Sequence, residues 1–179
     1  GPLISVAHIN DQLRAGSEDE RVTYKIKAGV PGILVDAAIV DEDGNFLPAD
    51  GESMGELVLR APWLTEGYYR EPQKGAELWA GGWLHTGDVA TLDSMGVIDI
   101  RDRIKDVIKT GGEWISSLAL EDLCSRHPGV REVAVVGIAD PQWGERPFAL
   151  LVVREGHSID AKALKEHLKP FVELGHINK

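Results

Sequence analysis

Residues 100–116 read IRDRIKDVIKTGGEWIS, and the fold turns on how this stretch is read. It is too charged for a core strand and too short for a domain, yet the chain changes texture across it. Upstream, from about residue 21 to 101, turn signals are dense: GVPG, DEDGN, PADGE, GG and SMG. Between them lie short β-type runs, ILVDAAIVD, GELVLRAP and GVIDIRD. Strands of this length between turn clusters predict a small antiparallel unit, barrel-like or sandwich-like. VDEDGNFLP and LDSMGVIDI each read as a hairpin, with Gly44 and Gly96 supplying the positive φ of the turn. Residues 1–20, which include the acidic run Glu18-Asp19-Glu20, show little commitment to regular structure.

Downstream, SSLALEDLCSRH sets Leu120, Leu123 and Cys124 on one helical face, with Ser116 or Ser117 as N-cap. VREVAVVGIAD and PFALLVVRE are nearly continuous apolar runs, the pattern of buried strands, joined by the loop DPQWGER. In IDAKALKEHLKPFV, Ala161, Leu164, Leu168 and Phe171 recur at helical spacing, and Pro170 should disrupt the helix near its end. The expected fold is α+β: a small antiparallel β-rich, barrel-like subdomain over residues 1–103, then a small α+β domain of order α-β-β-α over residues 104–179.

The chain has 179 residues, 43% hydrophobic and 27% charged, an ordinary globular balance. Its net charge of −10 repels phosphate backbones and anionic lipid, so nucleic acid is not an expected partner. Cys124 is the only cysteine, so no disulfide forms within the chain, which fits a reducing cytoplasm. A basic-then-apolar leader and an apolar run near 18 residues are both missing, so neither secretion nor a transmembrane segment is expected.

The chain holds no Walker loop, no G-x-G-x-x-G and no paired-cysteine metal motif. Its six histidines, His8, His85, His127, His157, His167 and His176, lack metal-ligand spacing, so no metal site is expected. GGWLHTGDVATLD, residues 81–93, is more informative. Asp88 follows Thr86-Gly87 where a turn hands over to a strand. A carboxylate there can accept two hydrogen bonds at once, as a ribose diol offers, or can simply cap a turn. Arg103 follows after one hairpin, so it can face the same cleft, where its planar fork suits phosphate or ribose. Its plain alternative is a surface ion pair with Asp99, Asp102 or Asp106. Lys105, taken by itself, reads as a solvated linker residue. Gly111 and Gly112 let backbone approach a ligand closely, or merely form a turn. In DPQWGERP, Trp143 can pack over the hairpin and Glu145-Arg146 can pair locally.

In this order, GELVLRAPWLTEGYY, GGWLHTGDVATLD, GVIDIRDRIKDVIKTGGEWISSLALED and VREVAVVGIADPQWGERP resemble the C-terminal third of an AMP-forming acyl-CoA synthetase, an adenylate-forming enzyme. The resemblance covers about residues 21–175, and GGEWISS and WGERP look most like the branch acting on medium- or long-chain fatty acids. It implies a ligase that activates a carboxylic acid with ATP and Mg2+ to an acyl-adenylate, then transfers the acyl group to coenzyme A. Residue by residue, it implies that Asp88 holds the ribose hydroxyls, that Arg103 contacts the ribose region and that Ile100 lies near adenine. It further implies that Lys105 is the hinge of a mobile domain, and that Gly111, Gly112, Glu113 and Trp114 approach coenzyme A.

The family's phosphate loop, its Thr-Glu motif and its catalytic lysine have no counterpart here. Lys179 ends GHINK without the Ser/Thr-Gly pair that precedes that lysine, so no catalytic residue is assigned. The chain is therefore expected to be a fragment without ligase activity of its own. A non-catalytic regulatory or assembly module, or an adenylation domain loading a carrier protein, are the alternative readings.

Overall fold

The computed structural model describes residues 3–9 and 11–173, and its contacts divide the chain into two units, 1–104 and 105–179. The first unit begins with strand β1 (Ser5–Val6), helices α1 (Asp11–Ala15) and α2 (Glu18–Lys25), and strand β2 (Val30–Pro31), which pairs with β1. The early residues are thus more ordered than their composition suggests, and the reason is local. Ser17 Oγ accepts the Glu20 amide, and the Glu20 carboxylate accepts the Ser17 amide at 2.6 Å, a reciprocal capping box that starts α2. Hydrogen bonds from the Ser17 backbone and then its side chain hold the Glu20 carboxyl below its ordinary pKa.

Strands β3 (Asp36–Val40) and β4 (Met54–Arg60) follow, then helix α3 (Pro72–Leu78), strand β5 (Leu84–Leu92) and strand β6 (Ile98–Arg103). They form a four-stranded antiparallel sheet in the order β3-β4-β5-β6. This sheet is open, so the barrel-like expectation is corrected: β3 and β6 are edges and do not pair with each other. Ile39, Leu57, Leu59, Ala90 and Ile98 pack into one buried cluster with Val35. Each large aliphatic side chain buried there contributes about 1.5–3 kcal/mol. The turn at Gly96 (φ 78°) closes the β5–β6 hairpin as expected. Gly44 (φ 80°) also turns the chain, but only as far as an isolated bridge from Val40 to Phe46; the strand pairing with β3 is β4. Helix α3 begins with Pro72 in its first turn, where a missing N–H costs nothing, and it was not foreseen.

The second unit contains β7 (Ile108–Thr110), β8 (Glu113–Ile115), α4 (Ser117–Ser125), β9 (Val130–Asp140), β10 (Gly144–Val153) and α5 (Ala161–Glu173). Its sheet order is β8-β7-β10-β9. The order of elements is therefore β-β-α-β-β-α, correcting α-β-β-α. The missed hairpin has strands of only three residues, each mixing charge with apolar positions, so neither shows a readable alternation. Its turn is Gly111-Gly112, with φ 60° and 83° and Thr110 paired to Glu113. Two consecutive positive φ values in a two-residue loop match the strand twist of a tight hairpin.

Helix α4 agrees with its sequence: Ser116 Oγ accepts the Ala119 amide as N-cap, and Leu120, Leu123 and Cys124 are buried. Burial, with Glu121 adding to it, pushes the Cys124 thiol above its ordinary pKa, so it stays protonated. Leu120 and Leu123 join Ile108, Ile115 and Val135 in the core.

Strands β9 and β10 depart from expectation. They are longer, absorbing most of the anticipated loop, and only one face is covered. Val135 is buried and Val133 and Ala149 pack against the core, while Val136, Ile138, Phe148, Leu150 and Val152 are exposed. An unbroken apolar run normally means burial on both faces. Here α4 packs against β9, and the opposite face carries the exposed ladder. Glu121 on α4 also accepts the Val135 amide at 2.8 Å, occupying one donor of edge strand β9.

In α5, Leu164 and Leu168 face the core, whereas Ala161 is exposed. The helix continues through Pro170 instead of breaking. Pro170 and Glu166 are both exposed, so the Glu166 carbonyl deprived of its helical donor can turn to water. The Phe171 side chain and Lys179 lie outside the described residues.

The Gly111-Gly112 turn makes a stability prediction. A Cβ at Gly111 would meet the Trp143 ring at 3.1 Å, whereas one at Gly112 meets nothing within 4 Å. Left-handed backbone costs either alanine about 1–2 kcal/mol. Gly111→Ala should therefore lower the thermal midpoint further than Gly112→Ala, and equal shifts in thermal denaturation would show that the ring yields freely.

Candidate functional site

The site residues of the first unit are brought together by sheet register. Asp88 on β5 lies directly opposite Arg103 on β6, and Ala90 lies opposite Ile100. Arg103 and Ile100 are three residues apart, which in an uninterrupted strand would put them on opposite faces. A register shift between Val89 and Ala90 leaves Arg101 as the extra residue and restores both to the Asp88 face. Arg103 Nε lies 2.9 Å from Asp88 Oδ1 in an ion pair, with the side chains 60% and 28% exposed. Ile100 is 43% exposed beside them. An aliphatic side chain so exposed next to an ion pair can cover an apolar ring, while the carboxylate and guanidinium address polar groups.

The plain reading of Arg103 as an exposed ion pair holds in kind but with another aspartate, whereas Asp88 is not a turn cap. The partner of Arg103 is Asp88 and not Asp99, Asp102 or Asp106, while Asp99 pairs with Arg101 and Lys27. Asp88 lies within a continuous strand and not at its entry. Between the register pairs Glu56–Val89 and Val58–His85, β4 has one residue and β5 has three, Thr86, Gly87 and Asp88. Gly87 takes φ 71° in that bulge.

Side chains hold the bulge in place. The Thr86 hydroxyl donates to the Leu57 carbonyl at 2.8 Å and accepts the Asp88 amide at 3.1 Å. Glu56 Oε1 accepts the Gly87 amide at 3.0 Å, and Glu56 Oε2 lies 2.7 Å from His85 Nδ1. The Gly87 carbonyl accepts the Ile104 amide at 2.9 Å. Glu56 escaped the sequence reading because it lies 29 residues before His85 on another strand, with no local motif joining them.

Lys105 follows Ile104 in a turn between β6 and β7, at the division between the two units. Its side chain is 79% exposed and its ammonium lies 3.8 Å from Asp106, a contact worth little to stability. In the second unit, Gly111, Gly112, Glu113 and Trp114 occupy the β7–β8 turn and the start of β8. Gly111 donates its amide to the Trp143 carbonyl at 2.9 Å and lies beneath that ring. Lys109 stands 5.3 Å from the Trp114 ring, and Arg146 5.9 Å from the Trp143 ring. Glu145 therefore does not pair with Arg146; its carboxylate accepts the Lys109 amide at 2.9 Å. Among the described residues, no group of three or more His, Cys, Asp or Glu is arranged to hold a metal ion. No helix among them is long and apolar enough to cross a membrane.

Residues 119–178 match the AMP-binding enzyme C-terminal domain family. The chain is 44% identical over 168 residues to a long-chain-fatty-acid–CoA ligase of Thermus thermophilus, covering 93% of this chain and 31% of the relative. It is also 44% identical over 148 residues to a 3-methylmercaptopropionyl-CoA ligase of Ruegeria lacuscaerulensis, covering 83% of this chain and 27% of that protein. The chain belongs to the adenylate-forming acyl-CoA ligase family. Among solved structures, an amide bond synthetase from Marinactinospora thermotolerans superposes with a TM-score of 0.69 at 34% identity, over 89% of this chain and 33% of that one. The chain thus spans about a third of the length of the ligases it matches. Those relatives are named CoA ligases, and the acids in their names differ, one a long-chain fatty acid and one a sulfur-containing short acid.

Proposed function

We propose that this chain is part of an acyl-CoA ligase that couples a carboxylic acid to coenzyme A at the expense of ATP. In the first step a carboxylate oxygen attacks the α-phosphorus, forming acyl-adenylate and releasing pyrophosphate. In the second the coenzyme A thiolate attacks the acyl carbonyl and AMP leaves. Asp88 receives the ribose hydroxyls, Arg103 the ribose and its phosphate side, and Ile100 covers the adenine side. Mg2+ accompanies the nucleotide. Lys105 is the pivot between residues 1–104 and 105–179. The Gly111, Gly112, Glu113 and Trp114 hairpin serves the thioester-forming step.

The observation that supports this reading most is the Asp88–Arg103 pair at 2.9 Å with Ile100 on the same sheet face. An ion pair this exposed contributes little to stability, about 0–1 kcal/mol. Its placement is therefore better explained by a ligand than by folding. The acid we favour is a medium- or long-chain fatty acid, in keeping with GGEWISS and WGERP, and the setting we favour is the cytoplasm. The test uses the intact protein carrying this chain, with ATP, Mg2+ and carboxylates of graded chain length. AMP and pyrophosphate should form in acid-dependent fashion, and acyl-CoA should appear once coenzyme A is added. ADP as product, or no dependence on the acid, would overturn the reading. Transfer to a carrier-protein thiol in preference to coenzyme A would favour the adenylation-domain alternative, and the chain alone should make no acyl-CoA.

A further inference from the structure

We infer that Glu56 is a positioning residue for the ribose-binding carboxylate, acting through His85 and the Gly87 amide. The inference rests on the nucleotide reading of Asp88 given above. Asp88 is the last residue of a bulge in which three residues of β5 face one of β4. A bulge interrupts the ladder of backbone hydrogen bonds, so the ladder alone does not fix the direction of its side chains. Something else must hold Asp88 if it is to meet a diol in a set geometry.

The Thr86 hydroxyl holds the Asp88 amide and Arg103 pairs with its carboxylate, while one further carboxylate grips the backbone that leads into Asp88. Glu56 Oε1 takes the Gly87 amide at 3.0 Å and Glu56 Oε2 takes His85 Nδ1 at 2.7 Å, so the same group grips the bulge at two points on either side of Thr86. Its side chain is 14% exposed and that of His85 27%, so water competes poorly for either contact. With both oxygens engaged by the chain itself, Glu56 is suited to orient a neighbour, not to take a substrate. Removing it leaves the part-buried Gly87 amide without its acceptor, and the φ 71° residue directly before Asp88 is free to relax. Reorientation of Asp88 would degrade recognition of the ribose hydroxyls in particular, whereas a general loss of stability would not distinguish one nucleotide from another.

The experiment measures kcat/KM in ATP–pyrophosphate exchange by the intact enzyme, with ATP and with 3′-deoxyATP, alongside the thermal midpoint of each variant. The wild type should prefer ATP, and Asp88→Asn should largely abolish that preference. Glu56→Ala should lower the ATP/3′-deoxyATP ratio at least fivefold, and His85→Ala should lower it by less, because only one of the two grips is lost. Glu56→Gln should recover most of the ratio, since its carbonyl still accepts the Gly87 amide and its NH2 can donate to a bare Nδ1. If Glu56→Ala slows both nucleotides equally while Asp88→Asn collapses the ratio, the positioning role is wrong and the nucleotide reading stands. If Asp88→Asn leaves the ratio unchanged, the nucleotide reading fails and takes this inference with it. Should Glu56→Ala fail to fold, His85→Ala decides on the same ratio: a fall supports the inference and an unchanged ratio overturns it.

Discussion

Asp88→Asn in the intact protein, read as the proposed ligase, should lower kcat/KM for ATP about a hundredfold and leave KM for the carboxylic acid within about twofold. A hydrogen bond to a charged acceptor contributes about 1.5–3 kcal/mol. A ribose diol offers two such bonds, and each 1.4 kcal/mol is tenfold in rate or affinity. Asparagine keeps the size of the side chain and one acceptor, but it brings an NH2 toward the hydroxyls and removes the charge opposite Arg103. The existing pair at 2.9 Å fixes the direction of that carboxylate, so its loss also frees the Arg103 side chain, itself 60% exposed. Initial rates at varied ATP, and separately at varied acid, distinguish the two. A fall confined to the acid, or less than threefold for ATP, would remove Asp88 from the nucleotide site.

Lys105→Pro should separate the two half-reactions. Proline fixes φ near −65° and restricts the residue before it, here Ile104, so both torsions around the proposed pivot lose freedom. Ile104 is already held to Gly87, so rotation concentrates on the residue that follows it. If alternation between two arrangements is needed for thioester formation, that step should fall at least a hundredfold, while ATP–pyrophosphate exchange changes only a few-fold. Lys105→Ala removes the charge and the weak contact with Asp106 but keeps both torsions free, and should be nearly silent. Single-turnover transfer from preformed acyl-adenylate to coenzyme A isolates the second step. Equal losses in both steps would mean that Lys105 is not the pivot.

Much of this was legible in the residues because the signals are local. The serine before LALEDL caps a helix whose apolar residues fall on one side, and Gly96 sits where a hairpin must reverse. What escaped depends on pairing at a distance. No pattern within β5 or β6 announces that Arg101 is the bulged residue, yet that bulge puts Ile100 and Arg103 on one face with Asp88. Glu56 and His85 likewise meet only once β4 and β5 are in register. The β7–β8 hairpin does not show in the sequence because three-residue strands are shorter than two full periods of alternation. The apolar runs of β9 and β10 misled in the other direction: hydrophobicity measures what a strand tolerates on each face, not what covers it.

The outer face of β9 and β10 sets how the chain behaves when concentrated by itself. Phe148 lies opposite Val136 on it, with Ile138, Leu150 and Val152 nearby, and a contiguous apolar surface of that kind favours contact between copies. At neutral pH the net charge of −10 opposes such contact. That opposition reaches only about 10 Å in 0.1 M salt, and it vanishes as the pH nears 5.0, where the sequence is isoelectric. Turbidity in acidic or salty buffer would therefore be a colloidal event among folded molecules, reversible on raising the pH in the first case and on lowering the salt in the second, and would say nothing about the stability of either unit.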